Sequence, residues 1–189
     1  MPFSTFGLSP SLVIQLINHN YEQPYPIQKE VIPAILEGKD VLGIAKTGSG
    51  KTASYVLPIL TNLQGQTRAK NRHVNVLVLV PTRELAGQVF HQFGSTLPDR
   101  VKTIAVFGGV SINTQMQAMQ NVNVLVATPG RLLELVESNA VHLSSISALV
   151  LDEADKMLNL GFKSEMDKIF DLLPKKRQNL LFSATLSED

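Results

Sequence analysis

The hydrophobic positions of this chain fall into short runs separated by polar stretches, and two spacings recur. Runs at 41–45, 76–80, 103–107, 122–127, 148–151 and 179–182 are nearly continuous in apolar residues. That is the pattern of strands buried on both faces, as in parallel sheets. Between and around them, apolar residues at helical spacing predict helices over 50–63, 84–93, 113–119, 132–137 and 162–172. Upstream, Ser9-Pro10 reads as the cap and first turn of a helix whose stripe is Leu12, Val13, Leu16 and Ile17. Pro24 and Pro26 interrupt the chain. Pro26 then starts a second helix through Ile27, Val31 and Ile35, in which Pro33 predicts a kink or short break. The polar stretch 64–73, with Arg68, Lys70 and Arg72, reads as an exposed loop.

Strands alternating with helices predict an α/β domain, its sheet mostly parallel and covered by helices on both faces. The 189 residues suit one such domain, and no repeat or internal boundary divides 1–189. With 44% hydrophobic and 17% charged residues, the chain is expected to fold. The net charge of +1 supplies no global field for a polyanion, so any such contact must come from a local patch or from backbone amides. The absence of cysteine excludes disulfides, thiolate zinc sites and cysteine nucleophiles, and fits a reducing cytoplasm. The N-terminus lacks a basic segment followed by an apolar run, and the apolar runs fall far short of the ~20 residues of a membrane span. The expectation is a soluble cytoplasmic protein without a membrane partner.

Two segments carry the candidate chemistry. The first, 45–52, reads Ala-Lys-Thr-Gly-Ser-Gly-Lys-Thr and lies between a predicted strand and a predicted helix. The usual phosphate-loop pattern opens on glycine, where this chain has Ala45; Gly48, Gly50, Lys51 and Thr52 fit it. Backbone N–H groups of Thr47, Gly48, Ser49 and Gly50 can turn onto phosphate oxygens, and the helix start adds partial positive charge. Lys51 is then the β- and γ-phosphate ligand and the Thr52 hydroxyl a Mg2+ ligand. The second segment, Asp152-Glu153-Ala154-Asp155, follows a buried strand about a hundred residues later. Asp152 can hold Mg2+ through water, and Glu153 can orient and deprotonate an attacking water. The plainer explanation of either acid is a helix cap. The two segments together point to hydrolysis of a nucleotide with Mg2+, with Lys51, Asp152 and Glu153 catalytic.

Further segments place the chain beside a known family. Phe3 stands seventeen residues before Asn20-Tyr-Glu-Gln-Pro-Tyr-Pro-Ile-Gln28, and the loop 45–52 follows. Then come Pro81-Thr-Arg-Glu-Leu85, Gly108-Gly109, Thr128-Pro-Gly-Arg131, Asp152-Glu-Ala-Asp155 and Ser183-Ala-Thr185. In content and order this resembles the DEAD-box ATP-dependent RNA helicases over nearly the whole chain. The resemblance implies a RecA-like P-loop domain with an N-terminal adenine-recognition segment at 1–28, and ATP and Mg2+ as cofactors. It makes Gln28 the adenine reader, a role that an amide with one donor and one acceptor edge can fill. Phe3 would stack on the base, while Tyr21 is left open between packing near the base and a place in the core. Tyr25 stands where the family usually has threonine and Asn20 where it often has glycine; both bear on local packing.

By the same resemblance, Pro81, Thr82, Arg83, Gly108, Gly109, Thr128, Pro129, Gly130 and Arg131 contact RNA through the sugar-phosphate backbone, without base specificity. Taken alone, each of these segments reads as a cap or turn. Asp155, Ser183 and Thr185 would couple hydrolysis to strand separation. Ser183→Ala with Thr185→Ala is then expected to spare ATPase and abolish unwinding. Such helicases carry a second RecA-like domain whose arginine fingers stabilise the transition state. Its motifs are not in 1–189, so this chain alone is expected to bind nucleotide weakly and hydrolyse it slowly. A DNA translocase is a second reading, disfavoured by the adenine segment and Asp152–Asp155; an ATP-gated RNA clamp or assembly scaffold is a third.

Overall fold

The computed structural model of the chain describes residues 2–19, 21, 23–64, 66, 71–96 and 101–185. Asn20, Arg68 and Lys70 lie outside the described residues. Six strands form one sheet: β1 (Val41–Ile44), β2 (Val76–Leu79), β3 (Thr103–Val106), β4 (Val124–Ala127), β5 (Ala148–Asp152) and β6 (Gln178–Ser183). Their order is β1-β6-β5-β2-β4-β3 and every neighbouring pair is parallel. The expectation of a mostly parallel sheet is met in full.

Alternation along β2 shows why the runs are continuous. Val76, Val78 and Val80 enter the apolar layer on one face, with Tyr55, Ile59 and Leu60 of α3 (Lys51–Leu63) and Val89 and Phe93 of α4 (Arg83–Ser95). Leu77 and Leu79 enter the layer on the other, with Leu132 and Leu135 of α6 (Pro129–Glu137) and Ile169 of α8 (Lys163–Leu172). With both faces covered, no position on the strand tolerates a polar side chain. A third apolar cluster lies outside α3. There Phe3, Phe6, Leu8 and Leu16 of α1 (Pro10–Asn18) pack on Ile32 of α2 (Pro26–Leu36) and on Ala53 and Leu57. The N-terminal segment is thus fastened to the helix that follows the glycine loop.

Three details depart from the sequence reading. Helix α2 runs through Pro33, which lies in its last turn, where only one backbone bond is forfeited. A short helix, α7 (Ala154–Asn159), was not predicted, because two buried positions, Ala154 and Met157, make too weak a stripe. α6 starts at Pro129, three residues before the predicted start, with Thr128 at its N-cap. Helix α5 (Ile112–Ala118) completes the set. Among the described residues no helix is long and apolar enough to cross a membrane.

Candidate nucleotide and nucleic-acid site

Because all strands are parallel, every strand ends at one edge of the sheet, where α/β folds bind ligands. Every candidate segment from the glycine loop onward follows a strand, so these collect there. Read across that edge, the strand order places the glycine loop (after β1) first, then 183–185 (β6) and 152–155 (β5). Next come 81–83 (β2), 128–131 (β4) and 108–109 (β3). The phosphate chemistry and the three proposed backbone contacts are thereby sorted into two halves.

A cavity of about 750 Å3 opens in the first half. Thr47, Gly48, Gly50, Lys51 and Thr52 line it opposite Asp152 and Glu153, with Gln28 at one side. Gly48 (φ +81°) and Gly50 (φ +86°) take the left-handed conformation that lets successive amides face one centre. A Cβ on Gly50 would lie 2.5 Å from Gln28 Nε2 and 2.9 Å from Tyr25 Cδ2, so glycine is required there for space as well. The Lys51 ammonium donates to the Ala45 and Ser183 carbonyl oxygens, which hold it between the ends of β1 and β6. Ser49 is not on the cavity wall; it faces a neighbouring groove beside β1, and its hydroxyl is buried without a partner.

Asp152 ends β5 and is 2% exposed. Burial raises its carboxyl above the usual value, and Glu153 adds to this, while the Tyr55 hydroxyl and Lys51 oppose it. Glu153 sits at the N-cap position of α7 with φ +56° and ψ +50°, a strained conformation for a residue with a side chain. Its side chain makes no capping bond, so capping does not account for it; it pairs instead with Lys156 at 2.9 Å. The oxygen donors fit Mg2+, a hard cation that binds through one or two protein oxygens, waters and substrate phosphates.

Gln28 is 1% exposed: Oε1 accepts from the Tyr25 N–H at 2.9 Å and Nε2 donates to the Gly50 carbonyl at 3.1 Å, using one of its two acceptor sites and one of its two donors. It ties the start of α2 to the glycine loop. Phe3 does not line the cavity. It is buried against Phe6, with ring centroids 6.0 Å apart. The aromatic rings on the wall are Tyr21 and Tyr25, joined by His19 and by Gln88 and Gln92 of α4. The four-residue spacing of those two glutamines puts them on one helix face and was a readable signal. Tyr55, bonded to Asp152 at 2.7 Å, had none, being one apolar position in a helical stripe.

The coupling segment closes on itself. Thr185 Oγ1 donates to Asp155 Oδ2 at 3.0 Å, while the Ser183 hydroxyl donates to the Thr185 carbonyl at 2.7 Å. Partial burial works against ionisation of Asp155. Hydrogen bonds from Thr185, the Lys156 amide and Ser183 outweigh it and hold the carboxyl below its usual range.

In the second half of the edge, Thr82 caps α4 by accepting from the Leu85 N–H at 3.2 Å. Arg83, 66% exposed, projects beside Gly109 and pairs with Glu84. Pro129 and Gly130 form the first turn of α6 behind Thr128, whose side chain makes no cap bond. Pro81 leads from β2 into Thr82, and Gly108 leads from β3 into Gly109, which has φ +86°. Arg131 is placed otherwise than the sequence suggested. It is 8% exposed, and its guanidinium is committed to the Val110 carbonyl, to Gln115 at 2.8 Å and to Glu134 at 2.9 Å. It clamps the segment after Gly109 to α6 and offers no free cation to a polyanion.

A sequence model of the DEAD/DEAH box helicase family matches residues 25–189. The chain is 42% identical to the DEAD-box ATP-dependent RNA helicase RhpA of Helicobacter pylori, over 98% of this chain and 37% of that protein. It is 43% identical to the ATP-dependent RNA helicase DeaD of Klebsiella pneumoniae, over 98% of this chain and 29% of that one. In structure it is similar to a DEAD box protein of the hyperthermophile Methanococcus jannaschii, with a TM-score of 0.90, 36% identity, and coverage of 99% of this chain and 51% of that one. The chain therefore spans about a third of the curated relatives' length.

Proposed function

The chain belongs to the DEAD/DEAH box helicase family, and on that premise we propose that it binds ATP and hydrolyses it in support of RNA binding and local duplex disruption, together with a second RecA-like domain. The observation that carries this is the sorting of the sheet edge: phosphate loop, hydroxyl segment and carboxylates on β1, β6 and β5, helix starts on β2, β4 and β3. One nucleotide and one nucleic-acid backbone then lie side by side on a single rigid frame.

The glycine-loop amides and the α3 N-terminus hold the phosphates, and Lys51 exchanges its carbonyl partners for phosphate oxygens. Thr52 and Asp152 would hold Mg2+, which supplies charge neutralisation at the phosphates. Glu153, with its carboxylate steadied by Lys156, orients the attacking water and takes its proton. Gln28 joins base recognition to the loop through its bond to Gly50. Thr185 and Ser183 report the state of the phosphate side to Asp155. On the other half, the start of α4, the Gly108-Gly109 turn and the start of α6 meet RNA phosphates with backbone N–H groups and with Arg83. Arg131 contributes by holding the segment after Gly109 in place.

Release of a labelled strand from an RNA duplex tests this reading. ATP should drive release in the full-length protein, and neither a non-hydrolysable analogue nor Glu153→Gln should. Equal release with the analogue would point instead to an ATP-gated clamp. Release from DNA duplexes equal to that from RNA would refute the choice of RNA.

A further inference from the structure

We infer that Tyr55 is a positioning residue for Mg2+-nucleotide binding: its hydroxyl holds one oxygen of Asp152, so that the other is presented to the cavity. The inference rests on the functional reading above. Tyr55 is fully buried, and its hydroxyl donates to Asp152 Oδ2 at 2.7 Å, a charge-assisted bond in a site shielded from bulk water. Asp152 lines the nucleotide cavity, and with Oδ2 held by the phenol, Oδ1 is the oxygen without a side-chain partner.

The ring cannot swing away. It packs against Phe182, tilted by 44° with centroids 5.1 Å apart, and Phe182 stands opposite Asp152 in the β5–β6 register. Behind Phe182 is Gly43 of β1, where a Cβ would lie 2.7 Å from the Phe182 ring, so Phe182 is itself confined. Tyr55 also lies three residues after Thr52 on α3, hence on the same helix face. One helical turn thus carries both the proposed hydroxyl ligand and the phenol that sets the carboxylate ligand. A phenylalanine would fill the same apolar space; only the oxygen needs Asp152.

The ordinary alternative is a core tyrosine whose hydroxyl has found the nearest acceptor. The two differ in what Tyr55→Phe does to metal dependence. Affinity for a fluorescent ADP analogue would be measured in EDTA and across free Mg2+, for wild type, Y55F, D152N and the double variant. The expected result is unchanged affinity in EDTA and a rise of roughly tenfold in the Mg2+ concentration needed for half-maximal enhancement in Y55F, the usual effect of removing a ligand's supporting partner. In the D152N background Y55F should add no further shift. Phe182→Leu keeps the phenol but loosens it, and should give a smaller shift in the same direction. An unmoved Mg2+ midpoint in Y55F and F182L overturns the inference, as does an equal Y55F shift with and without D152N. Wild-type binding indifferent to Mg2+ would remove the functional reading and this inference with it, whereas Mg2+ dependence kept intact in Y55F would remove the inference alone.

Discussion

Replacing Gly50 with alanine separates the two reasons for glycine in the phosphate loop. Both Gly48 and Gly50 have left-handed backbones, with φ +81° and +86°. A Cβ on Gly48 would meet nothing within 4 Å, so Gly48→Ala incurs only the conformational penalty, about 1–2 kcal/mol. A Cβ on Gly50 would collide with Gln28 Nε2 at 2.5 Å and with the Tyr25 ring at 2.9 Å. The Gln28 amide would have to withdraw from the Gly50 carbonyl and leave its buried Nε2 without an acceptor, a further cost of about 1–3 kcal/mol. Urea denaturation should therefore place Gly50→Ala about 1–3 kcal/mol below Gly48→Ala. Adding Gln28→Ala removes the side chain in the way and should narrow that gap. Nucleotide affinity measured alongside should fall further for Gly50→Ala, because the strained loop must also re-aim its amides. Equal stability of the two glycine variants, or no change on adding Gln28→Ala, would refute the claim that Gln28 is wedged against the loop.

Three further outcomes follow from the same geometry. Burial raises the Asp152 carboxyl, so its ionisation opposes folding, and the cost accrues as pH rises from the ordinary carboxylate value through the raised one. Asp152→Asn should thus raise the Tm at neutral pH, lose that advantage below the usual carboxylate range where both states are protonated, and abolish hydrolysis. Arg83→Ala should leave the fold intact, weaken RNA binding alike for all sequences and reduce the salt slope by about 1, whereas Arg131→Ala should cost about 1–3 kcal/mol by stranding the Gln115 carbonyl oxygen; thermal melts beside salt-dependent RNA binding distinguish the two. Gly43→Ala should destabilise by about 1–3 kcal/mol in denaturant unfolding, through the contact at 2.7 Å with Phe182.

The sheet was legible because each strand contains a nearly continuous apolar run, and the phosphate loop because glycine, lysine and threonine at fixed spacing have few other uses. Strand order was not legible: which strands adjoin depends on contacts distant in sequence, and that order is what divides the edge into two halves. Arg131 shows a second limit. An arginine at a helix start looks like a free cation until its partners, Val110 and Gln115, arrive from another segment. Phe3 and Tyr55 show a third, since spacing says nothing about which aromatic turns toward a cavity and which toward a core. Tyr55 bears on the site only because β5 brings Asp152 to its hydroxyl.

The most direct test of the account is steady-state ATP hydrolysis by the full-length protein, with and without single-stranded RNA, beside Glu153→Gln and a DNA of matched sequence. The account predicts turnover that rises with RNA, does not rise with DNA, and is lost in Glu153→Gln. Turnover indifferent to RNA, or retained without the Glu153 carboxylate, would contradict it.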